Sequence, residues 1–203
     1  MSNEINERFF FDYIRLQLFD GSLSSKQVSG LKSILSTWSE KHAGNDDRFL
    51  AYMLGTAHHE TGRTMQPIKE WGGNSYFFRM YDPQGQRPDV ARRLGNSHPG
   101  DGVKFCGRGY VQLTGRANYT NWAGKTGKPL VDNPDLALDP DVAAIILIEG
   151  MIAGSFTGKK LSDYFSAGRA DWVNARRIIN GLDKAQLVGS YAMKYYAAIS
   201  YTT

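Results

Sequence analysis

Two glutamates ten residues apart, Glu60 and Glu70, stand in LAYMLGTAHHETGRTMQPIKEWGG, residues 50–73, and are the pair in this chain best suited to acid–base chemistry. On a helical wheel the apolar residues Phe49, Leu50, Met53, Leu54 and Ala57 span an arc of about 140°, and Glu60 falls inside it. Partial desolvation, the negative end of the helix dipole and any second carboxylate would each favour its protonated form, which a general acid needs. A buried glutamate paired with an arginine, or with His58, His59 or Arg63, fits the same wheel position. Glu70 follows Pro67 and precedes Gly72-Gly73, so it reads as a turn residue near water. Alone it is an ordinary solvated side chain, but opposite Glu60 it becomes a candidate base. An acid and a base facing each other across a cleft is the arrangement of glycoside hydrolysis.

Other chemistries find less support. A zinc-protease helix needs a second histidine one turn after the first with a glutamate between, and Arg63 stands where HHE would require it, so no metal is expected. No G-x-S-x-G elbow is present, and the lone Cys106 has no nucleophile signature around it. The segment CGRGYVQLTGR lacks the spacing of a phosphate loop.

The elements that would position the pair can be read from caps and periodicity. Phe9, Phe10, Tyr13, Ile14 and Leu18 predict a first helix closed by Asp20-Gly21. Ser24 and Gln27 form a capping box for a second helix reaching about Lys41, and Asn45, Asp46 or Asp47 caps the third, which carries Glu60. Glycines and prolines between Gly72 and Gly109 indicate long loops with at most short helices or a small hairpin. GYVQLTG reads as a short extended piece before a helix over about 116–126. Asn133-Pro134 and Asp139-Pro140 start two further helices, the second apolar almost all round and therefore central. Asp171 caps another that stops at Gly181, and Leu187, Val188, Tyr191, Ala192, Tyr195, Ala198 and Ile199 mark a final amphipathic helix. The expectation is an all-α fold in a single catalytic domain over 1–203, with residues 1–44 a helical pair packed on a core over 45–203.

At 203 residues the chain can bury a sizeable core. A net charge of +4 fits loose attraction to anionic polymers, but the basic residues are scattered, so nucleic acid is not an expected partner. One cysteine excludes an internal disulfide. The N-terminus lacks the pattern of a signal peptide, and no stretch approaches the roughly 18 apolar residues of a membrane span. A soluble monomer with no integral membrane association is expected.

Four ordered motifs, AYMLGTAHHETGRTMQPIKE, FCGRGYVQLTGRANY, DNPDLALDP and RRIINGLD, together resemble glycoside hydrolase family 19, especially its phage and bacterial endolysin branch. The resemblance runs from about Phe49 to Asp183. It implies a mostly α-helical, lysozyme-like fold of two helical lobes around a substrate cleft, no cofactor, and inverting hydrolysis of β-1,4 bonds between N-acetylated sugars. Position by position it makes Glu60 the general acid and Glu70 the second carboxylate, with Asp82 in reserve. Gln112, Thr114 and Asn118 match positions that bind the acetamido sugar or hold water, and Asn180 matches a substrate-contacting asparagine. Tyr110, like Trp71 and Tyr76, is a candidate for stacking on a sugar face. His59 is assigned a supporting place, and Arg177 with Asp183 an ion-pair support. Plant members carry disulfides and a later second glutamate, and this chain has neither. Its short loops point to peptidoglycan glycan strands rather than chitin. The expected role is that of a muramidase-type endolysin, held in the host cytoplasm until lysis admits it to the periplasm and wall, with a chitinase or a non-catalytic cell-wall-binding module as the alternatives.

Overall fold

The computed structural model describes residues 5–200; the expectation for the extreme N-terminus, residues 1–4, lies outside them. The chain is mainly helical, and its contacts divide it into two compact units: residues up to 66 with those from 144 onward, and residues 67–143.

The first unit contains α1 (Glu7–Leu18), α2 (Ser25–His42), α3 (Asp47–Glu60) and the terminal α9 (Ala185–Ile199). The starts of α1, α2 and α3 follow from local hydrogen bonding. The Ser24 hydroxyl accepts from Gln27 N at 3.2 Å while Gln27 Oε1 accepts from Ser24 N at 2.9 Å, so the capping box is complete. Asp46 is the cap that begins α3, its Oδ1 accepting from Arg48 N at 3.0 Å. Asp20 and Gly21, both at positive φ, end the first helical segment.

The wheel predicted one apolar face on α3, but every residue from Leu50 to His58 is buried. The reason is coverage on several sides: α9 packs along α3, Phe19 and Tyr191 flank His58, and Phe165 lies 5.6 Å from Tyr52. Gly55 permits the closest approach, since a Cβ there would sit 2.8 Å from Ala192 N and 2.9 Å from its Cα. Phe10, Ile14, Leu31, Ile34, Trp38 and Tyr195 complete this core, each contributing roughly 1.5–3 kcal/mol by burial.

In the second unit the glycine-rich span holds three short helices, α4 (Asn74–Tyr81), α5 (Pro88–Arg93) and α6 (Asp101–Lys104), followed by α7 (Arg116–Thr126). A strand pair joins distant segments: β1 (Ile68–Lys69) lies antiparallel to β2 (Arg108–Gly109), with Ile68 opposite Gly109 and Lys69 opposite Arg108. GYVQLTG is a turn rather than a strand, with Arg108 bridged to Leu113. Asn133-Pro134 opens a 3-10 helix, Pro134–Leu138, and the Asp139 carboxylate caps α8 (Pro140–Ala153), most of whose apolar residues are buried.

The helix expected after Asp171 is a short 3-10 segment, Asn174–Ile178, preceded by a hairpin of β3 (Phe165–Ser166) and β4 (Arg169–Ala170). Among the described residues no helix is long and apolar enough to cross a membrane.

Candidate active site

Glu60 is the last residue of α3, and its side chain is 20 % exposed. Its Oε1 accepts from Arg176 Nη1 at 2.6 Å, while Oε2 has no hydrogen bond among the described residues. Arg176 is only 3 % exposed and is itself oriented by donating from Nε to the Asp183 carbonyl at 3.1 Å. The arginine-paired state open from the wheel is therefore the observed one, and it leaves one carboxylate oxygen free. The expected support by Arg177 is corrected: Arg177 is exposed, and its carbonyl accepts from the Thr157 hydroxyl. On a 3-10 turn neighbouring residues point about 120° apart, so only one of the two arginines can face Glu60. Asp183 takes part through its backbone carbonyl rather than through its carboxylate.

The histidines beside Glu60 differ from each other. His58 is buried, its Nδ1 3.1 Å from the Tyr195 hydroxyl, and burial together with nearby Arg63 lowers it to about 4. His59 is half-buried, and desolvation outweighs the adjacent Glu60 carboxylate, so its neutral form is favoured. Among the described residues no cluster of His, Cys, Asp or Glu is arranged to hold a metal ion.

Glu70 lies just after β1, and the β1–β2 pairing fixes it. Its N–H donates to Gly107 O at 2.8 Å, and Gly107 N returns a bond to Glu70 Oε2 at 3.1 Å. The second carboxylate oxygen accepts from the Tyr81 hydroxyl at 2.7 Å. Burial and the neighbouring Glu70 carboxylate push the Tyr81 phenol well above its ordinary range, so it remains a donor.

Gly107 is the point of convergence. A Cβ there would meet Gln112 Oε1 at 2.7 Å, Glu70 Oε2 at 3.1 Å and Thr114 Oγ1 at 3.2 Å. Gln112 reaches this position in a left-handed conformation, φ 55°, with Nε2 donating to Ile68 O at 3.0 Å and Gly109 O at 3.2 Å. Such a conformation costs a non-glycine residue free energy and persists where the surroundings hold it. The Thr114 hydroxyl donates to Gln112 O at 2.8 Å, and Asn118 Nδ2 donates to Thr114 O at 2.8 Å. The structure thus gathers Glu70, Gln112, Thr114 and Asn118, and adds Tyr81 and Gly107, which the sequence did not single out. Three oxygen acceptors converging on one small volume suit a donor such as water or a sugar hydroxyl.

Other expected residues stand elsewhere. Tyr110 is 1 % exposed, so its ring is packed and offers no face to a sugar. Trp71, next to Glu70, is 90 % exposed and is the open aromatic of those considered. Asp82, the reserve carboxylate, is fully buried and spends its oxygens on Gly100 N, Gly102 N and Gln84 N at 2.8–3.2 Å. That makes it an anchor for the chain after α4 and unavailable to activate water. Asn180 is exposed, its Oδ1 accepting from Gly181 N at 2.8 Å.

No family model matches the chain. A Haemophilus influenzae protein described as containing a glycosyl hydrolase family 19 domain is 32% identical over 136 residues, 55% of this chain and 68% of that protein. Among solved structures, chitinase C from Streptomyces griseus superposes with a TM-score of 0.64 at 22% identity, over 98% of this chain and 78% of that one. A bacterial family 19 chitinase superposes with a TM-score of 0.54 at 20% identity, over 98% and 96% of the two chains.

Proposed function

This chain belongs to glycosyl hydrolase family 19, and from that premise we propose that it hydrolyses the β-1,4-linked glycan strands of peptidoglycan as a muramidase-type endolysin. The observation that carries the hydrolytic reading is the Gly107 cradle, where Glu70 is held by two donors beside the free acceptors of Gln112 and Thr114. In this reading Glu70 removes a proton from water as the water attacks the anomeric carbon, and Glu60 gives a proton to the departing glycosidic oxygen. Arg176 holds one oxygen of Glu60 and leaves the other to carry that proton. Gln112, Thr114, Asn118 and Asn180 meet the sugar through amides and hydroxyls, and Trp71 offers a ring for stacking.

The preference for peptidoglycan rests on the basic balance of the chain, +4 at neutral pH, which suits an anionic wall polymer. A monomer acting without cofactor, nucleic acid or membrane insertion, retained in the cytoplasm until lysis and then working in the periplasm and wall, completes the proposal. A chitinase is the second reading, favoured by the likeness to two solved chitinases.

Parallel digestion of purified peptidoglycan and chitin, with fragments sized by mass spectrometry, separates the two. Muropeptide release with little chito-oligomer is expected, and the reverse would install the chitinase. Glu60→Gln and Glu70→Gln are each expected to lower turnover by about 10²- to 10⁴-fold. Undiminished lysis by either variant would remove that residue from the mechanism.

A further inference from the structure

We propose that the buried pair Arg108 and Tyr119 is a positioning device for Glu70 that acts through one peptide group, the amide joining Cys106 to Gly107. The carbonyl oxygen of that amide accepts from Arg108 Nη1 at 3.0 Å and from the Tyr119 hydroxyl at 3.0 Å. Its N–H, on the opposite edge of the same plane, donates to Glu70 Oε2 at 3.1 Å. The phenol also accepts from Arg108 Nη1 at 3.1 Å, and the same nitrogen donates to Lys104 O at 3.0 Å, so cation and hydroxyl meet at the Cys106 carbonyl while the guanidinium is held from a second side.

A carbonyl bound by a cation and a phenol draws electron density from its own nitrogen, and the N–H becomes a stronger donor. The charge of Arg108 is thereby transmitted to the carboxylate without contact between the two side chains. Arg108 is 5 % exposed, and its counter-ion Asp135, at 2.7 Å, is 66 % exposed and largely in water. A cation buried at this cost, with its partner at the surface, is left to polarise the acceptors around it. The Cys106 thiol takes no part: burial raises it above its ordinary range and leaves it inert. The CGRG sequence thus contributes a carbonyl, a side-chain-free donor and a guanidinium in succession.

The proposal rests on Glu70 being the base, and its test is built to fail separately from that assignment. The Gly107 amide proton is followed by NMR in the 15N-labelled full chain, alongside kcat and KM on solubilised peptidoglycan from pH 4 to 9. Tyr119→Phe removes one donor to the Cys106 carbonyl while keeping the ring. It is expected to move the Gly107 resonance upfield and lower kcat about threefold to tenfold at unchanged KM. It should also shift the acid limb of the rate profile to higher pH. Arg108→Lys is expected to retain part of the activity that Arg108→Met loses.

A Gly107 resonance unmoved by Tyr119→Phe overturns the relay. So does an upfield shift with unchanged kcat and pH profile when Glu70→Gln abolishes turnover. Should Glu70→Gln leave turnover intact, the base assignment falls, and the Gly107 resonance alone decides the relay by the same criterion.

Discussion

Glycine at position 107 is what allows a carboxylate, an amide and a hydroxyl to converge, and its replacement is the sharpest probe of the site at the scale of single residues. Its φ lies outside the left-handed region, so alanine fits the backbone, yet the added methyl would press on Gln112, Glu70 and Thr114. Gly107→Ala is expected to retain near-wild-type thermal stability and lose turnover by about tenfold or more. A variant as active as the wild type, measured by dye-labelled wall release, would mean that the cradle does not position the reacting groups. At this scale the sequence was informative about Glu60, because the cap and length of α3 place it at the helix end, although α3 is buried on all sides rather than along one face. It was uninformative about Arg176, which lies 116 residues away on a 3-10 turn. One residue of register there exchanges the inward and outward arginines, and nothing local distinguishes RR read either way. Tyr110 misled for a related reason, since an aromatic beside glycines fits a stacking platform and a packed core equally well.

The elements were more legible than the residues. The starts of α1, α2 and α3 are fixed by cap side chains within three residues of them, whereas α7 and α9 begin without a side-chain cap and α9 was legible from its apolar period alone. The segment from Gly72 to Gly109 was not legible in the same way. Its α4, α5 and α6 are too short for a period to show, and the β1–β2 pairing depends on contacts 40 residues apart in sequence. Two element-scale predictions follow from the packing of α3. Gly55→Val would drive a branched side chain into the backbone of α9 and is expected to destabilise the fold by about 3 kcal/mol or more. Calorimetry should register this as a fall in Tm of several degrees, and an unchanged Tm would refute the close approach.

The second concerns His58, which is lowered from 6.5 to about 4, chiefly by burial and then by Arg63, His59 and Lys194. The unfolded chain therefore binds a proton that the folded chain refuses between those pH values. Stability should fall as pH drops from about 6.5 to about 4, by roughly 3 kcal/mol in total. Urea unfolding of the wild type against His58→Leu isolates this contribution, and parallel pH curves for the two would contradict it.

For the whole molecule, composition excluded more than it selected. It argued against disorder, a membrane span and a disulfide scaffold, whereas the order and spacing of four motifs gave the family resemblance and a relative 32% identical over 136 residues established it. Fold similarity to chitinases leaves substrate choice to the side chains that line the sugar sites, because one fold serves several polymers. Borohydride reduction of digested peptidoglycan, followed by identification of the reduced end sugar, tests the proposed cleavage of the wall glycan at N-acetylmuramic acid. Reduced N-acetylmuramic acid is expected at the new chain ends. Reduced N-acetylglucosamine as the new end, or no new ends from a wall digest while chitin is degraded, would contradict it.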